Sequence, residues 1–398
     1  MILMLPSMTT SGGDDLTQLY LNSSETTDVL HPTNSSGDYP TTQSTSTSMS
    51  SNDTQTYPDN DNVTSTPSST AATSTTEGAI GVFRKVEYVL IPVWFVVGIV
   101  GNTLSVVIML TKEFRVLTSS LIIICLSVSD SAVLIMQPFQ SKLFSDLFGF
   151  DIRSLSNVIC VVFSVLWRTA KSSSAWLVVL ISVERLLAVC LPLHVKFICT
   201  RRNTKLVIGL IYVSVLAFST AWSLSSRISN DGFCVFNYVG QGVDIATVQA
   251  MLISGTIICG MLPTCILPLT TLVILCRLQQ IRRKRRTLMN DQIVGAREQT
   301  SKIAAMLMSV PIAFVILASP TWIGHNAGFV LGENFLSSKM LTTWRYVAQP
   351  LEQMNYSINV FLYITCSRMY RKRLVALIRQ TKKSSSTDAL QSVSTSRF

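Results

Sequence analysis

Two cations, Arg168 and Lys171, stand in the otherwise apolar run LWRTAKSSSAW at 166–176. Asp130 interrupts a second apolar run, and Arg345 and Glu352 interrupt a third. A charge in such a run is costly unless it faces a partner or water, so each marks a candidate site for recognising a charged group or holding an ion. Bond-making chemistry is not indicated. His31, His194 and His325 are scattered, and no nucleophile–base pairing or metal-ligand spacing recurs, so no catalytic residues and no enzyme are expected.

Helical geometry sorts these groups. At 100° per residue, Trp167 and Arg185 share an azimuth, with Ser174 about 20° away and Lys171 about 40° away. That face must point inward, because lipid would not accept it. Arg168 lies about 100° round from Arg185, and periodicity alone leaves its direction open. With a rise of ~1.5 Å per residue, Lys171 is roughly 16 Å inward of Cys160 and about 21 Å from Arg185, which puts it in an outward-opening cavity. Glu352 precedes Asn355 by the same three residues that separate Lys171 from Ser174. If Ser174 and Asn355 share a depth, Lys171 and Glu352 can pair. Two answers stay open for Lys171: a structural ion pair with Glu352, or an acidic ligand group. The candidate ligand contacts are Trp167, Arg168, Lys171, Gln349 and Glu352.

The elements that position these residues are membrane spans. The chain is 48% hydrophobic and 14% charged, with a mean hydropathy of +0.41, too apolar for a soluble chain of this length. A helix crossing about 30 Å of hydrocarbon needs about 20 apolar residues. Residues 88–110, 206–226, 245–276 and 303–329 contain no Asp, Glu, Lys or Arg, while 117–139, 156–189 and 341–365 carry sparse charge. Seven spans are therefore expected, in an all-α membrane bundle.

Lys and Arg concentrate after the first, third and fifth spans, above all in RRKRR at 282–286, which marks those loops as cytoplasmic. The N-terminus is then extracellular and the C-terminus cytoplasmic, as expected of a multi-pass plasma-membrane protein. Residues 1–85 hold nine acids and two bases, so of the net +10 the remainder carries +17. Those cations lie where membrane topology puts them, and no nucleic-acid partner is expected. Of nine cysteines, this topology leaves Cys160 and Cys234 on the outer side, where two thiols point to one disulfide.

Four regions follow. Residues 1–86 form a Ser/Thr-rich arm read as disordered and extracellular, with glycan-acceptor sequons at Asn22, Asn34, Asn52 and Asn62. MILMLPSM lacks a basic n-region, so the first span is expected to act as a signal anchor. Residues 87–366 form the seven-span domain. Residues 367–380 suit a short amphipathic helix on the inner leaflet, in contact with membrane lipid. Residues 381–398 form a polar cytoplasmic tail rich in possible phosphorylation sites.

Over roughly residues 85–380 the ordered motifs resemble the rhodopsin-like G-protein-coupled receptors. These are GNTLS at 101–105, LSVSD at 126–130, Cys160 with ERLLAVCLPLH after it, ILPL at 266–269, Phe314 six residues before Pro320, and NYSINVFLY at 355–363. The resemblance implies a sodium ion held by Asp130, Ser174 and Asn355, an allosteric ion in a protein with no other cofactor. It also implies an activation switch of Glu184, Arg185, Phe314, Pro320, Asn359 and Tyr363, with Tyr370 opening the surface helix. Several positions depart from the family pattern. Ala318 replaces the toggle tryptophan, Val360 the proline of NPxxY, Cys276 a tyrosine of the fifth span and Leu186 the tyrosine of DRY, while Tyr212 is nearest to a missing fourth-span tryptophan.

Trp167 stands where amine receptors place an aspartate, and Gln353 where opsins place the retinal lysine. The resemblance is strongest to invertebrate neuropeptide receptors of the FMRFamide-like group. It implies an extracellular peptide ligand, a heterotrimeric G protein and, through a phosphorylated tail, arrestin. The alternative is a seven-helix scaffold or ligand-trapping protein with an altered switch that no longer signals.

Overall fold

The computed structural model describes residues 70–141, 143–229, 232–235, 245–286, 294–324 and 338–380. The glycan-acceptor asparagines and the C-terminal tail lie outside these residues. Seven helical spans pack as one bundle: Thr70–Met109, Thr118–Gln140, Asn157–Cys190, Arg201–Ser223, Ile245–Arg286, Val294–Leu317 with its continuation to residue 324, and Ser338–Cys366. A surface helix follows at 368–380. Six of the spans are long and apolar enough to cross a membrane. The seventh falls short of that criterion because it is split at Ile358 into Ser338–Ser357 and Asn359–Cys366 and carries Lys339, Arg345 and Glu352.

Local chemistry sets the ends. Ser156 caps the third span by accepting a hydrogen bond from the Ile159 amide, and Thr200 caps the fourth by accepting one from Asn203. The Thr200 cap starts the fourth span at Arg201, five residues before the apolar run that announces it. Charged residues extend the fifth helix beyond the membrane, to Arg286.

Two spans depart from regular helix. The fifth has a π-helical segment at Thr256–Met261, followed by Pro268. The sixth is interrupted at Ala318, two residues before Pro320, where proline removes a backbone donor and permits a bend. Apolar side chains such as Val100, Val213, Leu269 and Ile316 face outward, as lipid requires. Polar groups turn inward: Asn102, Ser105, Asp130, Ser174 and Asn359 are buried. Gly98 brings the first span against the second and seventh, since a Cβ there would lie 2.3 Å from Leu134 and 2.8 Å from the Ser357 hydroxyl.

The Cys160–Cys234 disulfide ties the outer end of the third span to the hairpin Arg227–Ile228/Cys234–Val235. Ser154 reinforces the join by accepting a hydrogen bond from the Cys234 amide at 3.1 Å.

Candidate functional site

A charged and aromatic cluster gathers side chains of the third, sixth and seventh spans. Lys171 Nζ lies 2.8 Å from Glu352 Oε1, the internal pairing that is one of the two answers open for Lys171. Tyr356, one turn further along the seventh span, donates its hydroxyl to the same oxygen at 3.1 Å. The Lys171 ammonium is also flanked by two indoles, 5.5 Å from the Trp167 ring and 5.6 Å from that of Trp322. The lysine side chain is 22% exposed and the glutamate 6%, so the cation is the accessible end of the pair. Gln349, half-buried, stands three residues outward of Glu352.

Arg168 is not brought together with Lys171. Its guanidinium stacks 3.9 Å from the ring centroid of Trp222 on the fourth span, and the residue is buried. Arg168 lies about 100° round the helix from Trp167 and about 60° from Lys171, which is enough to turn it from their cluster toward the fourth span. Stacking of this kind contributes roughly 0.5–2 kcal/mol and keeps a guanidinium out of lipid.

Deeper in the bundle, Asp130 Oδ1 accepts a hydrogen bond from Ser174 at 2.5 Å and Oδ2 one from Asn359 Nδ2 at 2.7 Å. Asn355 is buried, and Asn102 Nδ2 reaches the Tyr356 carbonyl at 3.2 Å. Carboxylate, hydroxyl and amide oxygens are hard donors, so this set suits an alkali cation chemically. Among the described residues no group of three His, Cys, Asp or Glu could hold another metal.

At the inner end, Glu184 accepts hydrogen bonds from Thr118 Oγ1 at 2.5 Å and from Ser119, whose Oγ lies 2.9 Å from each carboxylate oxygen. Arg185 pairs with Glu184 at 3.1 Å and donates to Ser119 Oγ at 2.5 Å. Both charges are thereby held against the start of the second span. Tyr363 is fully buried, 5.7 Å from the Tyr370 ring. The Tyr370 and Ser105 hydroxyls lie 3.2 Å apart, and Tyr370 packs edge-on against Phe114. An Arg373–Glu113 ion pair adds a second tie between the surface helix and the first inner loop. Phe314 lies in the apolar core with Ala318, and Pro320 is half-buried.

This arrangement has an ion pair flanked by indoles, a polar centre around Asp130 and a second, hydroxyl-bound ion pair at Glu184–Arg185, and comparison with known proteins identifies its family. The description "7 transmembrane receptor (rhodopsin family)" matches residues 101–387. The chain belongs to that family. The receptor is 27% identical to human (Homo sapiens) galanin receptor type 2 over 72% of this chain and 72% of the relative. It is 25% identical to the same receptor of Rattus norvegicus over 76% and 79%. It is also 25% identical to human growth hormone secretagogue receptor type 1 over 71% and 78%. The receptor is thus a multi-pass membrane protein of a non-enzymatic family.

Several partners in the receptor were missed by sequence reasoning. Trp222, Trp322, Thr118 and Ser119 complete sites whose other halves were legible, yet each sits on another span and has no local signal. The Ser129 hydroxyl lies 2.7 Å from that of Tyr212 and 3.0 Å from that of Ser173, and Tyr212 donates to the Cys125 carbonyl at 3.1 Å. This links spans two, three and four beside Asp130. A signal was present there, since Ser129 and Ser173 directly precede Asp130 and Ser174.

Proposed function

We propose that the receptor binds an extracellular peptide over the Lys171–Glu352 floor and signals through a heterotrimeric G protein. The accessible cation held on indole faces carries this reading, and the relatives named for galanin and a growth hormone secretagogue support it. Trp167, Lys171, Gln349 and Glu352 are the proposed contacts. Arg168 shapes the wall behind them. Lysine is the end that meets solvent, so an acidic group of the ligand competes with Glu352 for Lys171.

The cytoplasmic distribution of Lys and Arg supports an extracellular N-terminus and a cytoplasmic C-terminus. On the inner side, Leu193 and Phe197 are each 80% exposed in the loop after Arg185. Apolar side chains so placed, beside the basic extension of the fifth span, suit a G-protein surface. A sodium ion at Asp130, Ser174 and Asn355 would neutralise the buried carboxylate and favour the resting packing. Arg368, Arg371, Lys372 and Arg379 form a basic face of the surface helix, which suits anionic lipid. The phosphorylatable tail suits arrestin. The rival reading, a scaffold or ligand trap without signalling, finds no support in the family match.

The test is G-protein dissociation in cells displaying the receptor, with a neuropeptide panel that includes FMRFamide-like members. A saturable response to one peptide, weakened by Lys171→Ala at equal surface level, is expected. Saturable peptide binding without nucleotide exchange on any G-protein class would overturn the signalling claim.

A further inference from the structure

The sixth span is loosened at Ala318–Trp322, where Pro320 lacks an amide and the Trp322 amide reaches the Ala318 carbonyl only at 3.5 Å, but little there could move it. Helix ends at Leu317 and resumes at residue 319, and the side chain at the interruption is the methyl group of Ala318, itself buried in the core. A methyl group has no rotamer to change, so a signal from the cavity must reach the bend elsewhere. Contacts to the seventh and fifth spans hold the segment outward of that point. Thr321 donates to the Ala348 carbonyl at 3.1 Å, Trp344 Nε1 donates to the Pro320 carbonyl at 2.8 Å, and the Trp322 indole covers Gly260. A Cβ at Gly260 would meet that ring at 2.3 Å, so the glycine exists in register with the tryptophan. One of these groups also touches the charged floor: Trp322, with Lys171 Nζ 5.6 Å from its ring.

We propose that Trp322 is the positioning residue that couples the Lys171–Glu352 pair to the bend of the sixth span. With the pair closed, the ammonium sits between Trp167 and Trp322, and the indole stays seated on Gly260. A group that draws Lys171 away from Glu352 also draws it from the Trp322 face. The outer segment then loses an anchor two residues beyond Pro320, where the helix is already free to bend. The inference rests on the floor of the cavity being the ligand site, and it assigns the step that follows ligand contact. It also explains how a receptor with alanine at 318 can respond at all.

Hydrogen exchange of the purified full-length receptor in lipid nanodiscs tests this without ligand or G protein, so a receptor that fails to signal still reports. Five forms are compared: wild type, Trp322→Ala, Trp322→Phe, the neutral pair Lys171→Met with Glu352→Gln, and Trp322→Ala combined with the neutral pair. Trp322→Ala and the neutral pair should each speed exchange across 318–324 by about tenfold, the factor corresponding to loss of one cation–π contact. The combined form should be no faster than the faster of its parents, and Trp322→Phe, which keeps a ring face, should stay near wild type. Rates that multiply in the combined form would show that Trp322 merely packs on Gly260, and an unchanged segment in either parent would likewise overturn the coupling. If Trp322→Ala does not yield folded receptor, Gly260→Ala unseats the indole with its chemistry intact and enters the same comparison.

Discussion

The two ends of the third span handle charge in opposite ways. At the outer end Lys171 is neutralised across the bundle by Glu352 of the seventh span, with indoles on its flanks. At the inner end Arg185 is neutralised by its own neighbour Glu184, and both are pinned by Thr118 and Ser119 of the second span. The outer pair joins two helices through a partly exposed cation, which under the proposed function an acidic ligand group draws away. The inner pair lies within one helix and is held by neutral hydroxyls, so helix movement releases it and no competing ion is required. One span therefore carries a charge paired across the bundle and a charge paired along its own helix, about 21 Å apart by helical rise; in the proposed function the first answers to ligand and the second to helix movement.

The largest effect expected concerns the anchor that gives the outer end its geometry. Cys234→Ser opens a loop of 74 residues, and loss of such a crosslink typically costs about 2–5 kcal/mol. Surface display measured by antibody against an N-terminal tag should fall several-fold, with a lower melting temperature for what remains. Next comes the outer pair itself. Glu352→Lys places two cations on the floor and should abolish response to the cognate peptide, while the double reversal Lys171→Glu with Glu352→Lys should recover more display and response than either single change. Absence of recovery in a ligand-binding and display assay would break the proposed contrast between the two ends.

At the inner end, Ser119→Ala removes the hydroxyl shared by Glu184 and Arg185. Hydrogen bonds to charged groups contribute about 1.5–3 kcal/mol. Partial exposure of Arg185 trims this, so ligand-independent G-protein activation should rise about tenfold at matched surface level. An unchanged basal signal would mean that the latch does not hold the resting state. The smallest effect is expected at Arg168. Replacing its stacking partner, Trp222→Leu, should lower the melting temperature by an amount corresponding to roughly 1 kcal/mol, with peptide potency within about threefold of wild type. A larger loss of potency at full display would return Arg168 to the ligand cavity.

Much of this architecture was legible in the chain because membrane spans are dictated by length and polarity. The seven apolar runs, the clustering of Lys and Arg in alternate loops and the pairing of Cys160 with Cys234 required no knowledge of neighbours. The same holds for the floor of the cavity: helical periodicity put Trp167, Lys171 and Ser174 on one face, and equal offsets from Ser174 and Asn355 matched Lys171 to Glu352. Arg168 shows the limit. Periodicity gives an angle on its own helix, and whether that angle meets a cavity or Trp222 depends on where the fourth span stands. The break at Ala318 shows another, since Pro320 announces a bend without saying which residue loses its helical state or which side chains brace it.

By itself, then, the sequence determined the solvent of each segment, the number of crossings and the faces that must be hidden, because transfer of charge and backbone into hydrocarbon is costly wherever the helix ends up. Only the tertiary structure decided which hidden group meets which. Trp322 on Gly260, Ser119 between Glu184 and Arg185, and Trp222 over Arg168 are contacts between neighbouring spans whose residues lie 54 or more positions apart in the chain. They are set by helix packing and rotation to within a few ångströms, a scale that spacing along one chain does not encode.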